Sequence, residues 1–202
     1  MKKFLFIAIL CLFTLPSFGT INDSKVNYEN GVYTITNVVQ YDTISADVLY
    51  DNVRIVLSDI TLSEKSEGII DYANNESHTI IIKGKLYIGH TEFFLGKNCW
   101  NIFLNYTTTI KIKNNKLQCF TKFNNTFLFN VNNQYTQNNL EIPVDKCYPE
   151  WTFTKKEEKS IHKGNWQTGY ELAIKPNFEL AIKNYQQYIC NKLDNISVVD
   201  DF

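Results

Sequence analysis

Residues 106–129 read YTTTIKIKNNKLQCFTKFNNTFLF. Two β-rich runs flank Asn114-Asn115, and asparagine tolerates the positive φ that a two-residue type I′ turn demands, so a hairpin is predicted here. With the turn so placed, Ile112 faces Leu117, Ile110 faces Cys119, Thr108 faces Thr121 and Tyr106 faces Phe123. Side chains alternate with period two along a strand, so these residues share one face. Lys111, Thr109, Gln118, Phe120 and Lys122 fall on the other. The first face is the core face, and it carries Cys119.

Outward from the hairpin, Gly31–Gln40 alternates, with Val32, Thr34 and Thr36 on one side and Tyr33, Ile35 and Asn37 on the other. It reads as a first strand. Asp42, Thr43 and Ser45 then offer N-cap oxygens for a helix. Leu49, Val53, Val56, Leu57 and Ile60 follow at helical spacing. Many residues there are β-branched, so packing on a sheet must hold the helix. Gly68–Tyr72 and His78–Gly89 read as further strands. The Asn- and Gln-rich stretch 130–139 reads as loop. The region 141–175 shows no regular period, although Trp151, Trp166 and Tyr170 indicate that parts of it pack. Pro176-Asn177 opens a second helix, with Asn177 as N-cap and a stripe of Phe178, Ile182, Tyr185, Ile189 and Leu193. The reading is one α+β domain over 31–195, an antiparallel sheet with helices on one face. Its order is β-α-β-β-β-β with a C-terminal helix and an irregular insertion at about 131–175. Residues 20–30 are polar and read as a flexible segment, and 196–202 as a frayed tail.

The N-terminus, MKKFLFIAILCLFTLPSFGT, reads as a signal peptide over 1–19. Lys2 and Lys3 supply the positive region and Phe4–Leu15 the apolar one. Ser17-Phe18-Gly19 puts small residues where signal peptidase needs them. The apolar run is short of the roughly 20 residues that a spanning helix needs. Cys11 lies inside that run behind Leu10, which argues against a lipid anchor. No later stretch is apolar enough to span a bilayer, so the mature chain is expected to have no transmembrane segment. The expectation is an exported protein, periplasmic or secreted.

Hydrophobic content of 44% suffices for a core, and 12 Tyr and 14 Phe lean toward β-structure. The formal net charge is −1, which gives no overall electrostatic footprint for nucleic acid. The run Lys155–Lys159 mixes signs and reads as a solvated face. Once Cys11 leaves with the signal, Cys99, Cys119, Cys147 and Cys190 remain. Outside the cytoplasm a disulfide among them is possible, and Cys147–Cys190 is the favoured pairing.

Three of these stretches carry a family likeness: YDTISADVLYDNVRIVLSD at 41–59, IIIKGKLYIG at 80–89 and the hairpin at 106–129. Their order and spacing resemble a domain of unknown function with a TATA-binding-protein-like fold, found in exported proteins of Bacteroides-type bacteria. The chain departs from the family at the hairpin turn, where Asn114-Asn115 stands in place of Asp-Gly or similar. The resemblance implies helices on one sheet face. It implies no activity and no catalytic residue, and the fold's name gives no warrant for DNA binding.

His90-Thr91-Glu92 superficially matches the His-x-Glu of zinc deaminases, but Pro-Cys-x-x-Cys is absent. His90 is expected in an exposed loop, His78 in a surface pair with Glu76, and His162 in a charged loop. Asp42 and Asp47 complement the dipole of the first helix, while Asp51 and Asp59 lie on its solvated side. No nucleophile elbow, phosphate loop, zinc-protease motif or dinucleotide fingerprint occurs. No catalytic, cofactor-binding or metal residue is therefore named, and no cofactor is expected. The expected function is a non-enzymatic binding or structural module of the cell envelope with a protein or saccharide partner and no nucleic acid. The alternative is a carrier of a small apolar ligand held between sheet and helices. A hydrolase has the least support.

Overall fold

The computed structural model describes residues 20–58, 60–63, 66–93, 98–132, 137–157, 170–194 and 196. The expected signal peptide, Asp59, His162, Trp166 and the tail beyond 196 lie outside the described residues.

The hairpin at 106–129 forms in the expected register. Strand β6 (Asn98–Lys113) pairs with β7 (Lys116–Asn132), and Ile112–Leu117, Ile110–Cys119, Thr108–Thr121 and Tyr106–Phe123 are opposed. The turn itself differs: only Asn115 takes a positive φ, 59°. The reason lies in what the turn docks against. Asn115 Oδ1 accepts from the Ile44 backbone N–H at 2.7 Å, and Asn114 Oδ1 from Ala46 N–H at 2.9 Å. Backbone bonds from Tyr41 N to Asn115 O and from Asn115 N to Ile44 O complete the clamp. The tip thus holds the approach to helix α1 (Ala46–Val56), which Ser45 caps by accepting from Val48 N.

Strand β2 (Val32–Gln40) pairs with residues 116–122 of β7. Its inward residues are Tyr33, Ile35, Asn37 and Val39, as the alternation requires. Residues 20–30 depart from expectation: Thr20–Glu29 is a strand, β1, antiparallel to β2. Asn30 and Gly31 join the two with φ of 51° and 77°. Asn-Gly is a strong hairpin signal, and it outweighs the polar composition of the segment.

Leu49, Tyr50 and Val53 of α1 are buried, but the helix stops at Val56, and Ile60 begins a short strand β3 (Ile60–Ser63). Strands β4 (Ser66–Asn74) and β5 (Thr79–Phe93) follow. The region expected to be irregular holds β8 (Gln137–Pro143), a one-turn helix α2 (Val144–Cys147) and a π-helical turn at Tyr170–Ile174. Helix α3 (Lys175–Asp194) starts two residues before Asn177, so Asn177 is not its N-cap; its amide donates to Ala173 O instead.

The result is an eight-stranded antiparallel sheet in the order β1-β2-β7-β6-β5-β4-β3. Strand β8 pairs with residues 126–132 of β7. Because β6 lines one edge of β7 along most of its length, β2 and β8 share the other. This extends the five strands read from the sequence by β1, β3 and β8. The α+β class and the helix-covered sheet face stand.

The expected α3 stripe, Phe178, Ile182, Tyr185, Ile189 and Leu193, is buried against the sheet. Tyr185 packs on Tyr106 and Phe123 at centroid distances of 4.7 and 5.4 Å. Phe178 packs edge-on to Phe127, Tyr33 and Tyr148 near 5 Å. Within this apolar layer sit three hydroxyls: Thr108 Oγ1 lies 2.8 Å from Thr121 Oγ1 and 2.6 Å from Tyr185 OH. Buried polar groups are tolerated when they satisfy one another, and these do.

Candidate functional site

Among the described residues, helices cover one face of the sheet only, and the side chains that point the other way form an open face. Cross-strand register orders them into rows. One row runs Lys25, Thr36, Phe120, Thr109, Ile81 and Tyr72. The next runs Asn27, Thr34, Lys122, Thr107, Lys83 and Ile69. Phe120, Tyr72 and Ile69 are 39%, 46% and 67% exposed, which is unusual for large apolar residues inside a sheet.

Cations gather on this face: Lys25, Lys83, Lys85, Lys111, Lys113, Lys116 and Lys122 all alternate outward. Its acids include Asp71, Glu29 and Glu141, with Glu67 in register opposite Lys85, and Asp71 is held by Lys83 at 2.9 Å. A formal net charge of −1 for the whole chain conceals this segregation.

Two clefts open on the face. The larger, about 600 Å³, is bounded by Ile69, Asp71, Lys83, Lys85, Asn105 and Thr107, with Asn124 at its edge. Register shifts build it. The β6–β7 ladder slips between Leu104 and Tyr106, leaving Asn105 without a partner residue on β7. The β4–β5 ladder slips between Ile70 and Tyr72, which frees Asp71 to reach Lys83. The Asn105 Oδ1 atom is buried here and accepts no hydrogen bond from any described residue. The smaller cleft, about 280 Å³, lies at the hairpin end between Val38, Lys111, Lys113, Lys116 and Gln118.

The sequence exposed part of this surface. Lys111, Thr109, Gln118, Phe120 and Lys122 were assigned outward by the hairpin alternation. The cleft around Asn105 was not visible, because it depends on two bulges with no marker in the local pattern. The alternation of Lys83 and Lys85 about Gly84 was the available signal for its cationic wall.

The helix side offers a different surface. A groove of about 520 Å³ runs between α3 and β5, with Asn177, Asn184, Gln187 and Asn191 along it. The layer beneath, where an apolar ligand would lie, is filled by Tyr106, Phe123, Phe127, Phe178 and Tyr185, all nearly inaccessible.

The histidines and thiols take different places from those expected. His78 pairs with Asp47 at 2.7 Å rather than with Glu76, and its ring meets Tyr50 edge-on. Asp47, in the first turn of α1, thereby ties the β4–β5 turn to the helix start. His90 is exposed, but it lies within β5 instead of a loop, with Nδ1 2.9 Å from Tyr87 OH. Cys119, Cys147 and Cys190 are free thiols, so the favoured Cys147–Cys190 bridge is not formed. Cys119 belongs to β7 and Cys190 to α3, whereas Cys147 ends α2. Burial pushes Cys119 up to about 12, with Cys190 adding to the rise, and burial raises Cys190 to about 11. At neutral pH these are thiols, not thiolates, and are poor nucleophiles. Cys99 lies in β6 opposite Asn132 and Glu92. Among the described residues no cluster of His, Cys, Asp and Glu could hold a metal ion, and no helix is long and apolar enough to cross a membrane.

Residues 36–125 match the family model described as a domain of unknown function (DUF4468) with TBP-like fold. A crystal structure of a TBP-like protein from Parabacteroides distasonis superposes with a TM-score of 0.50 at 10% identity. It covers 84% of this chain and 97% of that one. A DUF4468 family protein from Bacteroides ovatus gives a TM-score of 0.47 at 14% identity, covering 84% of this chain and 92% of that one. No curated protein matches the chain.

Proposed function

Because residues 36–125 match the model of the DUF4468 family with TBP-like fold, we propose that the chain is a non-enzymatic binding module that works outside the cytoplasm and grips its partner with the open sheet face. One observation carries the reading. The sheet face that no described helix covers presents Phe120, Tyr72 and Ile69 among lysines, threonines and amides. Exposed apolar residues rimmed by polar ones mark interaction surfaces. The export half of the reading rests on the leader-like residues 1–19.

A glycan array read with the native protein and with Phe120→Ser tests the face. Phe120 is exposed, so the variant should fold and lose signal. An array pattern that survives Phe120→Ser and also Lys122→Glu would move the binding surface elsewhere. N-terminal sequencing of the exported form should begin at Thr20. A chain found intact at Met1, or lipidated at Cys11, would overturn the compartment. The apolar-carrier reading gains no support, because aromatic side chains occupy the space between sheet and helices.

A further inference from the structure

We infer that the lysine-bearing part of the open face holds an acidic polysaccharide, a chain whose sugars carry carboxylates, running from the cleft at Asn105 to the cleft at Lys113. This rests on the binding-module reading and names its ligand class.

Three observations converge. The cations are continuous: Lys85 and Lys83 wall the first cleft, Lys122 lies beside Thr107 in the next strand, and Lys111, Lys113 and Lys116 surround the second. From Thr107 to Lys113 along β6 is about 20 Å, so the array suits a polymer better than a single small anion. Between the cations lie Thr34, Thr36, Thr107, Thr109, Gln118 and Asn124, groups that both donate and accept hydrogen bonds and match sugar hydroxyls. The Asn105 Oδ1 acceptor is buried at the edge of the larger cleft without a donor, and an unmade bond there is costly. A sugar hydroxyl reaching it would supply the donor, while the carboxylates of the same chain meet Lys122 and the lysines of the second cleft, Lys111, Lys113 and Lys116, since Lys83 is already held by Asp71.

Other polyanions fit less well. Single-stranded nucleic acid stacks on successive aromatic platforms. Among the lysine rows, Thr109 and Ile81 separate Phe120 from Tyr72, which puts those rings about 14 Å apart at sheet spacing, and the ring pair Tyr87–Phe103 lies on the far side of Asn105 from the hairpin lysines. An anionic membrane would want a contiguous apolar patch, and Lys83 and Thr107 interrupt the row that ends at Ile69.

The test is binding of the purified protein to immobilised polygalacturonate, with dextran, a single-stranded oligonucleotide and phosphatidylglycerol vesicles as parallel probes. Saturable binding to polygalacturonate that weakens as sodium chloride rises is expected. The variant Lys111→Gln/Lys113→Gln/Lys116→Gln should weaken it roughly tenfold, from several exposed charges each of modest worth. Asn105→Ala should weaken it with the salt dependence unchanged, a separation that mere loss of charge would not give. Circular dichroism confirms that each variant is folded. Dextran bound as well as polygalacturonate, with loss in Phe120→Ser, would overturn the acidic ligand and keep the binding face. Preference for the oligonucleotide or the vesicles would also overturn it. Binding indifferent to every face variant would overturn both readings.

Discussion

Replacing Thr108 by valine tests how the buried core tolerates its hydroxyls. Thr108 Oγ1 stands between Thr121 Oγ1 and Tyr185 OH, at 2.8 and 2.6 Å, and all three side chains are shut off from water. Valine keeps the shape of threonine but offers neither donor nor acceptor. Two hydroxyls then lose their common partner, at about 1–3 kcal/mol for each one left unsatisfied. Thr121 also lies within reach of Tyr185, so the two can recover part of the loss. The net expectation is a cost of about 2 kcal/mol. Tyr185→Phe removes an end member and leaves Thr108 paired with Thr121, so it should cost about 1 kcal/mol. The triple variant Thr108→Val/Thr121→Val/Tyr185→Phe strands nothing and should return to within about 1 kcal/mol of the native chain. Urea unfolding measures all three. With a slope of about 2 kcal/mol per molar, Thr108→Val should lower the midpoint by about 1 M. If Thr108→Val proved milder than Tyr185→Phe, or the triple variant worse than Thr108→Val, the hydroxyls would not be a mutually satisfied set.

Three other perturbations have definite signs. Gly31 holds φ at 77° and an added Cβ would sit 3.1 Å from Asp145, so Gly31→Ala should cost about 1–2 kcal/mol and lower Tm by calorimetry. Asn115→Ala loses both the bond to Ile44 N–H and a residue at ease with φ of 59°, whereas Asn115→Gly loses only the bond. The alanine variant should therefore unfold at lower urea than the glycine variant. Finally, Cys119 and Cys190 stand at about 12 and about 11 when folded against an ordinary 9.0, and burial also raises Tyr41 and Tyr185 above the usual phenol range. These groups keep their protons in the folded state after the unfolded chain has released them. Their stabilising contribution is complete below pH 9 and declines as pH rises through the folded values, so urea midpoints should fall progressively above pH 9. A midpoint flat from neutrality to pH 11 would contradict the burial of these thiols and phenols.

The parts of the fold legible in the sequence were those governed by short-range periodicity. The 106–129 register, the inward set of β2 and the α3 stripe each follow from period two or near 3.6, because one face of each had to be buried. The misread parts depend on partners distant in the chain. The side chains of 25–30 are exposed on an edge strand, so their polarity hid β1, and only Asn30-Gly31 marked its hairpin. Ile60 fitted the helical stripe by spacing, yet it serves β3. His78 sits two residues from Glu76 in sequence, but its positive φ of 45° accompanies a turn that brings its ring to Asp47. For the candidate surface, alternation marked the hairpin's outward lysines. The cleft at Asn105 depended on bulges in two ladders, which no single strand's pattern encodes.

The shared edge of β7 sets the order in which the molecule can be completed. Hairpins β1–β2 and β6–β7 join neighbours in the chain and can close quickly. Strand β2 must wait for β7, which is synthesised most of a domain later, and only β8 follows it to fill the rest of that edge. Until then β2 presents an unpaired backbone edge, the feature that invites strand addition by other chains. The Asn114-Asn115 tip then acts as a register pin, because its bonds to Ile44 and Ala46 form only when β2 has met β7 in the right alignment. Sheet closure, rather than formation of any one hairpin, is the slow and vulnerable step of this chain's life.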